Sequence, residues 1–248
     1  MLLFLLSFHG KEREKEDIPI PFSPKAMYYN HMKVIEDLQF KGLRIAVNKP
    51  GFSYGHDALL LCGFARMGPK DTALDLGAGT GILSILLNGR HGTPFTAVEI
   101  QPEAAALMEE SIRMNEQRDI TVLCHDLRTL HELLPRESFT CAVCNPPYFT
   151  GGTPSEDEGV NISTHQQSCT VEDVAKCAKL MLKNGGRLWM CYPASGAAEA
   201  FAALHNNSME PKRVQLVYGK KAPYLALIEA KKGAKPGLIW EENITNCE

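Results

Sequence analysis

Leu74-Asp75-Leu76-Gly77-Ala78-Gly79-Thr80-Gly81-Ile82-Leu83 compresses an apolar strand, a turn with three glycines and the start of an apolar helix into ten residues. A residue without Cβ turns where others clash and lets backbone N–H groups come close to a ligand. The dinucleotide-binding spacing, Gly-x-Gly-x-x-Gly, would require glycine where Ile82 stands. The spacing here is Gly-x-Gly-x-Gly, and Asp75 precedes the first glycine by two residues. A pyrophosphate cradle is built to attract anions, so a carboxylate at its mouth works against that ligand. It suits a ligand that carries positive charge. A turn that merely joins strand to helix is the competing reading.

On both sides of this turn, short apolar runs alternate with helix-like segments, the pattern of a parallel sheet with crossover helices. Strand-like runs occupy 43–47, 73–76, 95–100, 121–125, 140–144, 187–192, 214–218 and 225–230. Helices are expected over 57–65, with Asp57 a candidate N-cap, and over 81–87, 102–115, 127–133, 171–182 and 196–206. Asn184-Gly185-Gly186 reads as the C-cap of the helix before it. The predicted fold is α/β: a seven-stranded, mostly parallel, doubly wound sheet with one antiparallel edge strand, the last two runs forming an edge hairpin. Residues 33–248 read as a single domain and 1–32 as a disordered extension, with Met27 or Met32 as an alternative start. The polar stretch 149–168 is long for a loop inside a compact domain, and such loops are usually functional or mobile.

The chain has 248 residues, 44% hydrophobic and 22% charged, which supplies a core and excludes wholesale disorder. With 26 basic against 29 acidic residues, the net charge of −3 excludes a protein that holds nucleic acid by bulk charge. The distribution is uneven. From Lys176 to Lys235 there are eleven Lys and Arg against three acids, Glu199, Glu210 and Glu229. A polyanionic partner should meet this segment first. Six of the eight cysteines, Cys62, Cys124, Cys141, Cys144, Cys177 and Cys191, sit in apolar runs, which fits a reducing, cytoplasmic setting. Cys141-x-x-Cys144 lacks a second pair or clustered histidines, so it reads as core, and no metal is expected. The apolar start, residues 1–8, falls short of the roughly 20 residues that cross a bilayer, has no basic region before it, and runs into charged residues 11–17. No membrane partner is expected.

The glycine turn resembles the motif of Rossmann-like methyltransferases, and that resemblance implies S-adenosyl-L-methionine as the cofactor, whose amino group and sulfonium are positive. Glu99 follows twenty-two positions after Gly77, where a carboxylate can accept both ribose hydroxyls of an adenosine ligand. Asp126 can accept from the adenine amine while Leu127 packs on the ring. Asp75, Gly77, Ala78, Gly79, Gly81, Glu99, Ile100, Asp126, Leu127 and Asn145 form the predicted cofactor set, joined by Asp57 below.

Asn145-Pro146-Pro147-Tyr148 follows the run 140–144. Consecutive prolines stiffen the backbone and remove two N–H donors, leaving a rigid corner of acceptors. An exocyclic amine on a planar group is a poor nucleophile, because its lone pair is delocalised. The Asn145 side-chain oxygen and the Pro146 carbonyl can each take one amine hydrogen, draw the nitrogen toward tetrahedral geometry and aim its lone pair. Tyr148 offers a stacking face. These four are the predicted catalytic residues. The same corner is shared by methyltransferases of adenine, cytosine and guanine amines and of glutamine side chains.

Asp37-Leu-Gln-Phe-Lys-Gly-Leu-Arg-Ile45 and Gly51-Phe-Ser-Tyr-Gly-His-Asp-Ala-Leu-Leu-Leu61 resemble the N-terminal segment of the bacterial adenine-N(6) methyltransferases that modify valine tRNA next to the anticodon. Thr170-Val-Glu-Asp-Val174, Lys183-Asn-Gly-Gly-Arg187, Glu210-Pro-Lys-Arg213, Gly219-Lys-Lys-Ala-Pro223 and Lys235-Pro-Gly-Leu238 are similar to the Gram-positive version. By this resemblance Tyr54-Gly55-His56-Asp57 closes over the methionine end of the cofactor, with Asp57 facing it, and tRNA is the partner. His56 departs from the family's threonine. Between Arg136 and Lys176 there is no Lys or Arg, where the family carries several, and Glu156-Asp157-Glu158 appears instead, with His165 standing where the family has an Arg-His pair. Acids repel a phosphate backbone, so RNA contact is expected at Lys212, Arg213, Lys220 and Lys221, with Lys231, Lys232 and Lys235 in the same basic set. An ordinary solvated face is the competing reading of that set. The alternatives to a tRNA enzyme are a glutamine-amide methyltransferase acting on a translation factor, and a non-catalytic cofactor-binding subunit. The oligomeric expectation is a monomer or weak homodimer.

Overall fold

The computed structural model describes residues 32–146 and 169–245. Its first two strands, β1 (Met32–Asp37) and β2 (Arg44–Lys49), form an antiparallel ribbon with Val34 opposite Val47. The run at 43–47 is therefore a strand, but outside the main sheet. Its partner escaped detection because most of β1 is exposed and carries no clean alternation.

Then follow α1 (His56–Phe64), β3 (Ala73–Leu76), α2 (Ile82–His91), β4 (Phe95–Glu99), α3 (Pro102–Met114) and β5 (Ile120–Cys124). The second half contains α4 (Leu130–Leu133), β6 (Phe139–Cys144), α5 (Val171–Met181), β7 (Leu182–Pro193), α6 (Ala197–Asn206), β8 (Met209–Tyr218) and β9 (Pro223–Lys232). Two short strands, β10 (Ile239–Trp240) and β11 (Ile244–Thr245), pair with β8.

Among the described residues, the ribbon's β2 has no third strand beside it. Side chains of α3 take that place: Ala46 N–H donates to Ser111 Oγ at 2.9 Å, and Asn115 accepts from Arg44 N–H at 2.9 Å. Asn115 Nδ2 returns a bond to the Arg44 carbonyl at 2.6 Å. A strand edge is thereby satisfied by a helix face.

The main sheet runs β5-β4-β3-β6-β7-β9-β8, with β10 and β11 outside β8. Its seven long strands are those expected, and β9 alone among them opposes its neighbours β7 and β8. It is inserted between them, so the outermost long strand, β8, is parallel to β7. The chain moves from β3 outward through β4 and β5, then returns to β6 on the other side of β3. That reversal opens a crevice at the carboxyl ends of β3 and β6, where open α/β sheets bind ligands.

Each face has its own core. Residues of α1, α2, α3 and the ribbon pack on one side. Residues of α4, α5 and α6 pack on the other. Cys141 belongs to the first core and Cys144 to the second, because residues three apart on a strand face opposite ways. They cannot share a ligand.

Two local expectations are corrected. Asn184-Gly185-Gly186 does not cap a helix: α5 ends at Met181 with Leu182 already extended. The triplet lies in a bulge of β7, where pairing jumps from Phe139↔Leu182 to Cys141↔Arg187. Glycine is needed there, because a Cβ on Gly186 would lie 2.9 Å from the Lys183 carbonyl oxygen and 3.0 Å from that of Thr140. Asp57 is not the N-cap of α1 either. Gly55 holds that position, with no side-chain hydrogen bond, and Asp57 lies in the first turn. Among the described residues, no helix is long and apolar enough to cross a membrane.

Candidate active site

The glycine turn leaves β3 and enters α2 at the crevice. Gly77, Gly79 and Gly81 all take the left-handed conformation, with φ of 71°, 55° and 87°. The first two and the third are open for different reasons. An added Cβ on Gly77 or Gly79 would meet nothing within 4 Å, so their faces are bare. One on Gly81 would lie 2.5 Å from Met108 Cγ, so this glycine lets α2 and α3 pack closely. Gly77 and Ala78 N–H both donate to the Val98 carbonyl at 2.9 Å, which ties the turn to β4.

Glu99 closes the other side of the turn. Its Oε2 accepts from Gly79 N–H and its Oε1 from Gln101 N–H, each at 2.8 Å. The carboxylate is thus fixed by backbone, and lone pairs remain on both oxygens for a diol. Ile100, exposed, flanks it.

Asp75 is fully buried beneath the turn. Its Oδ2 accepts from both the N–H and the hydroxyl of Ser84, at 3.1 and 2.7 Å, so from the preceding strand it satisfies one of the N–H groups that the first turn of α2 leaves without a helical partner. Among the described residues its Oδ1 has no partner, and neither has the buried Thr80 hydroxyl. Burial, with the nearby Glu99 charge adding to it, pushes the Asp75 carboxyl up to about 7. Bare glycine faces and orphaned acceptors fit a ligand that brings donors and positive charge.

Asp126 lies past β5, and its carboxylate accepts from Arg128 N–H at 2.9 Å and from the Arg128 guanidinium. That guanidinium holds the Asp126 carboxyl below the usual carboxylate range. Leu127 is buried beside it. Asp57, half-buried at the start of α1, has its carboxyl raised by burial, with His56 opposing. The Tyr54 hydroxyl bonds to Glu36, and its value rises to about 12, chiefly through burial. The segment 54–57 is therefore anchored to the ribbon.

Asn145 and Pro146 follow β6 directly. Asp75 pairs with Val143, which by register sets Asn145 alongside Gly77. On the other side Cys144 pairs with Met190, and the buried Cys191 thiol donates to Asn145 Oδ1 at 2.9 Å. Pro147, Tyr148, Glu156-Asp157-Glu158 and His165 lie outside the described residues, as do residues 1–31.

The expected RNA-binding set does not form one surface. Arg213 is only 7% exposed. Its guanidinium bonds to Glu229 at 2.8 Å, to Glu241 at 3.0 Å and to the Phe64 carbonyl at 2.8 Å, and lies 3.8 Å from the Phe64 ring centroid. It is a structural residue, not a docking one. Lys212, Lys231, Lys232 and Lys235 gather around an open pocket of about 470 Å³ at the amino edge of the sheet. Only Lys220 and Lys221, exposed at the turn between β8 and β9, stand on the carboxyl edge that carries Asn145.

Sequence reasoning missed Ser84, Arg128 and Cys191. Ser84 had a signal, being the one polar residue in the apolar opening of α2. Cys191 had none, since its position depends on register beyond a bulge.

Residues 53–208 match the methyltransferase small domain family. A protein of Shewanella amazonensis named tRNA1(Val) (adenine(37)-N6)-methyltransferase is 30% identical over 197 residues, which cover 78% of this chain and 84% of the relative. One of the same name from Bacteroides fragilis is 26% identical, covering 73% and 77%. Among solved structures, a predicted O-methyltransferase from Agrobacterium tumefaciens superimposes with a TM-score of 0.62 at 22% identity, covering 76% of this chain and 86% of that one.

Proposed function

The chain belongs to the methyltransferase small domain family, and from that premise we propose that it methylates the exocyclic amine of an adenine in tRNA, next to the anticodon of valine tRNA. The observation that carries this reading is the register across β3 and β6, which ends β6, and with it Asn145 and Pro146, at the level of the glycine turn. S-adenosylmethionine, when bound, supplies an electrophilic methyl group on a positively charged sulfur. Gly77, Ala78 and Gly79 would hold it by backbone, Glu99 would accept from its ribose, and Asp75 and Asp57 would face its positive end. Asp126 and Leu127 would border its adenine.

Asn145 Oδ1 and the Pro146 carbonyl take the two hydrogens of the target amine. Holding both hydrogens in fixed directions turns the nitrogen lone pair out of the base plane. The task is positioning and preorganised electrostatics, so no strong base is required. Tyr148 would stack the base. An anticodon-loop adenine is single-stranded, so little unpairing energy is spent in bringing it there. The substrate assignment draws on the names of the relatives and on Lys220 and Lys221 standing at the site's own edge.

Incubation with methyl-labelled cofactor and total tRNA, followed by nucleoside mapping, tests the reading. Label in N6-methyladenosine is expected; label on a glutamine of a translation factor, or no label at all, overturns it. Asn145→Ala should lower turnover at least about a hundredfold while S-adenosylhomocysteine still binds.

A further inference from the structure

We propose that the lysine-lined pocket at the amino edge of the sheet is a second RNA contact, which takes backbone phosphates of the folded tRNA at a distance from the methylated base. The inference rests on the tRNA reading above and adds a site to it. Of the nine residues around the pocket, Lys212, Lys231, Lys232 and Lys235 are lysines and none is acidic. Two of the four are tied down. Lys212 Nζ donates to the Lys235 carbonyl at 3.1 Å, and Lys232 Nζ donates to Glu137 at 2.8 Å and to the Leu182 carbonyl at 2.7 Å. Among the described residues, Glu137 is the one carboxylate paired with any of them, and the side chains of Lys231 and Lys235 have no hydrogen bond or ion pair. Four ammonium groups against one carboxylate leave an excess of three positive charges.

A cleft lined by one sign of charge concentrates its field and draws in groups of the other sign. Lysine offers a point charge on a flexible stem, which meets phosphate oxygens from many directions but reads no base. The pocket is open, so it admits a stretch of backbone. Its place decides which part of an RNA it can meet. Lys231 and Lys232 end β9, whereas Lys220 and Lys221 stand just before its start, on the edge that carries Asn145. The ten residues between put roughly 30 Å between the two groups. At roughly 3 Å per base step, a duplex covers that distance in about ten steps. The target nucleotide therefore cannot fill the pocket, and phosphates well along a stem can. Phosphate contacts fix position without reading sequence, so this one sets how the loop is presented to Asn145.

The test uses the full-length protein with two RNAs, whole unmodified valine tRNA and its isolated anticodon stem-loop. Lys231→Ala with Lys235→Ala removes the two ammonium groups that bond to nothing described, and thermal unfolding checks that the fold is kept. For tRNA, the slope of log affinity against log salt should fall by about 1.8, at about 0.9 for each lost duplex contact. The stem-loop, too short to reach the pocket, should keep its wild-type slope. Lys70→Ala with Arg118→Ala removes equal charge from the loops before β3 and β5, on the far side of the sheet from the pocket, and should change neither slope. As a direct readout, acetylation of Lys231 and Lys235 by an amine-reactive ester, followed by mass spectrometry, should be slowed by tRNA but not by the stem-loop or by millimolar inorganic phosphate. An unchanged tRNA slope, an equal fall for the stem-loop or in the control variant, or equal protection by inorganic phosphate each overturns the proposal, the last by making the pocket a small-anion site. These readouts are of binding alone. If the wild type binds tRNA in this way yet methylates no RNA, the proposed function fails and the pocket stands; if it methylates tRNA and the double variant keeps the wild-type slope, the pocket fails and the function stands.

Discussion

Asp75 carries a carboxyl with one oxygen bonded twice by Ser84 and the other, among the described residues, bonded by nothing. Its value of about 7, against an ordinary 3.8, means that the native protein holds a proton which the unfolded chain releases over that interval. The stability this group contributes is complete below the ordinary value and is lost as pH rises through about 7. Wild-type Tm should therefore fall, relative to that of Asp75→Asn, between about pH 4 and pH 7. Asn keeps an acceptor for Ser84 and never ionises, so parallel pH profiles for the two proteins would refute the assignment. A cationic ligand acts in the opposite direction: it favours the ionised carboxylate, so binding should release a proton and tighten as pH rises through that range, which calorimetry in two buffers measures. At this scale the turn, Asp75 and Glu99 were legible because their spacing is local. Arg213 was misread for a related reason. The apolar run begins at Val214, whereas β8 starts at Met209 and alternation turns Arg213 inward beside an outward Lys212.

Among the elements, the contact between α2 and α3 depends on Gly81. Alanine there would have to hold a φ of 87° and displace Met108, whose Cγ lies 2.5 Å from the added Cβ. Gly81→Ala should cost about 2–4 kcal/mol in urea unfolding, from left-handed strain plus overpacking. Gly79→Ala, whose Cβ enters open space, should cost about 1–2 kcal/mol. The reverse order would show that α2 does not pack as described. The hairpin between β8 and β9 makes a second element-scale prediction. Lys220→Ala with Lys221→Ala should weaken tRNA binding and lower the slope of log affinity against log salt by about 1.4, at about 0.7 for each lost single-strand phosphate contact. An unchanged slope would remove the hairpin from the docking surface. The strands and helices were largely readable from periodicity. The ribbon and the bulge were not, because one is stabilised by helix side chains and the other by a register jump.

For the molecule as a whole, Arg213 joins parts far apart in sequence: α1 through Phe64, β9 through Glu229, and the C-terminal segment through Glu241. Glu229 also accepts from Trp189 Nε1 at 3.0 Å in β7. Removing the guanidinium would leave Glu229 to Arg187 and Trp189 and Glu241 to Arg66, and would take a buried donor from the Phe64 carbonyl, so Arg213→Ala should cost about 1–3 kcal/mol of stability. Lys212→Ala, one position away, should stay within about 0.5 kcal/mol. Similar losses for both would contradict the burial of Arg213. The charge excess of the C-terminal third was visible in composition, but its division was not, because the path of β9 decides it. By doubling back through the sheet, that strand delivers positive charge to two opposite poles, separated by the length of a ten-residue strand, or roughly 30 Å. A nucleotide or short oligomer can meet only one pole at a time. Any single partner that touched both would have to span that distance, so the two poles are separate sites to anything smaller.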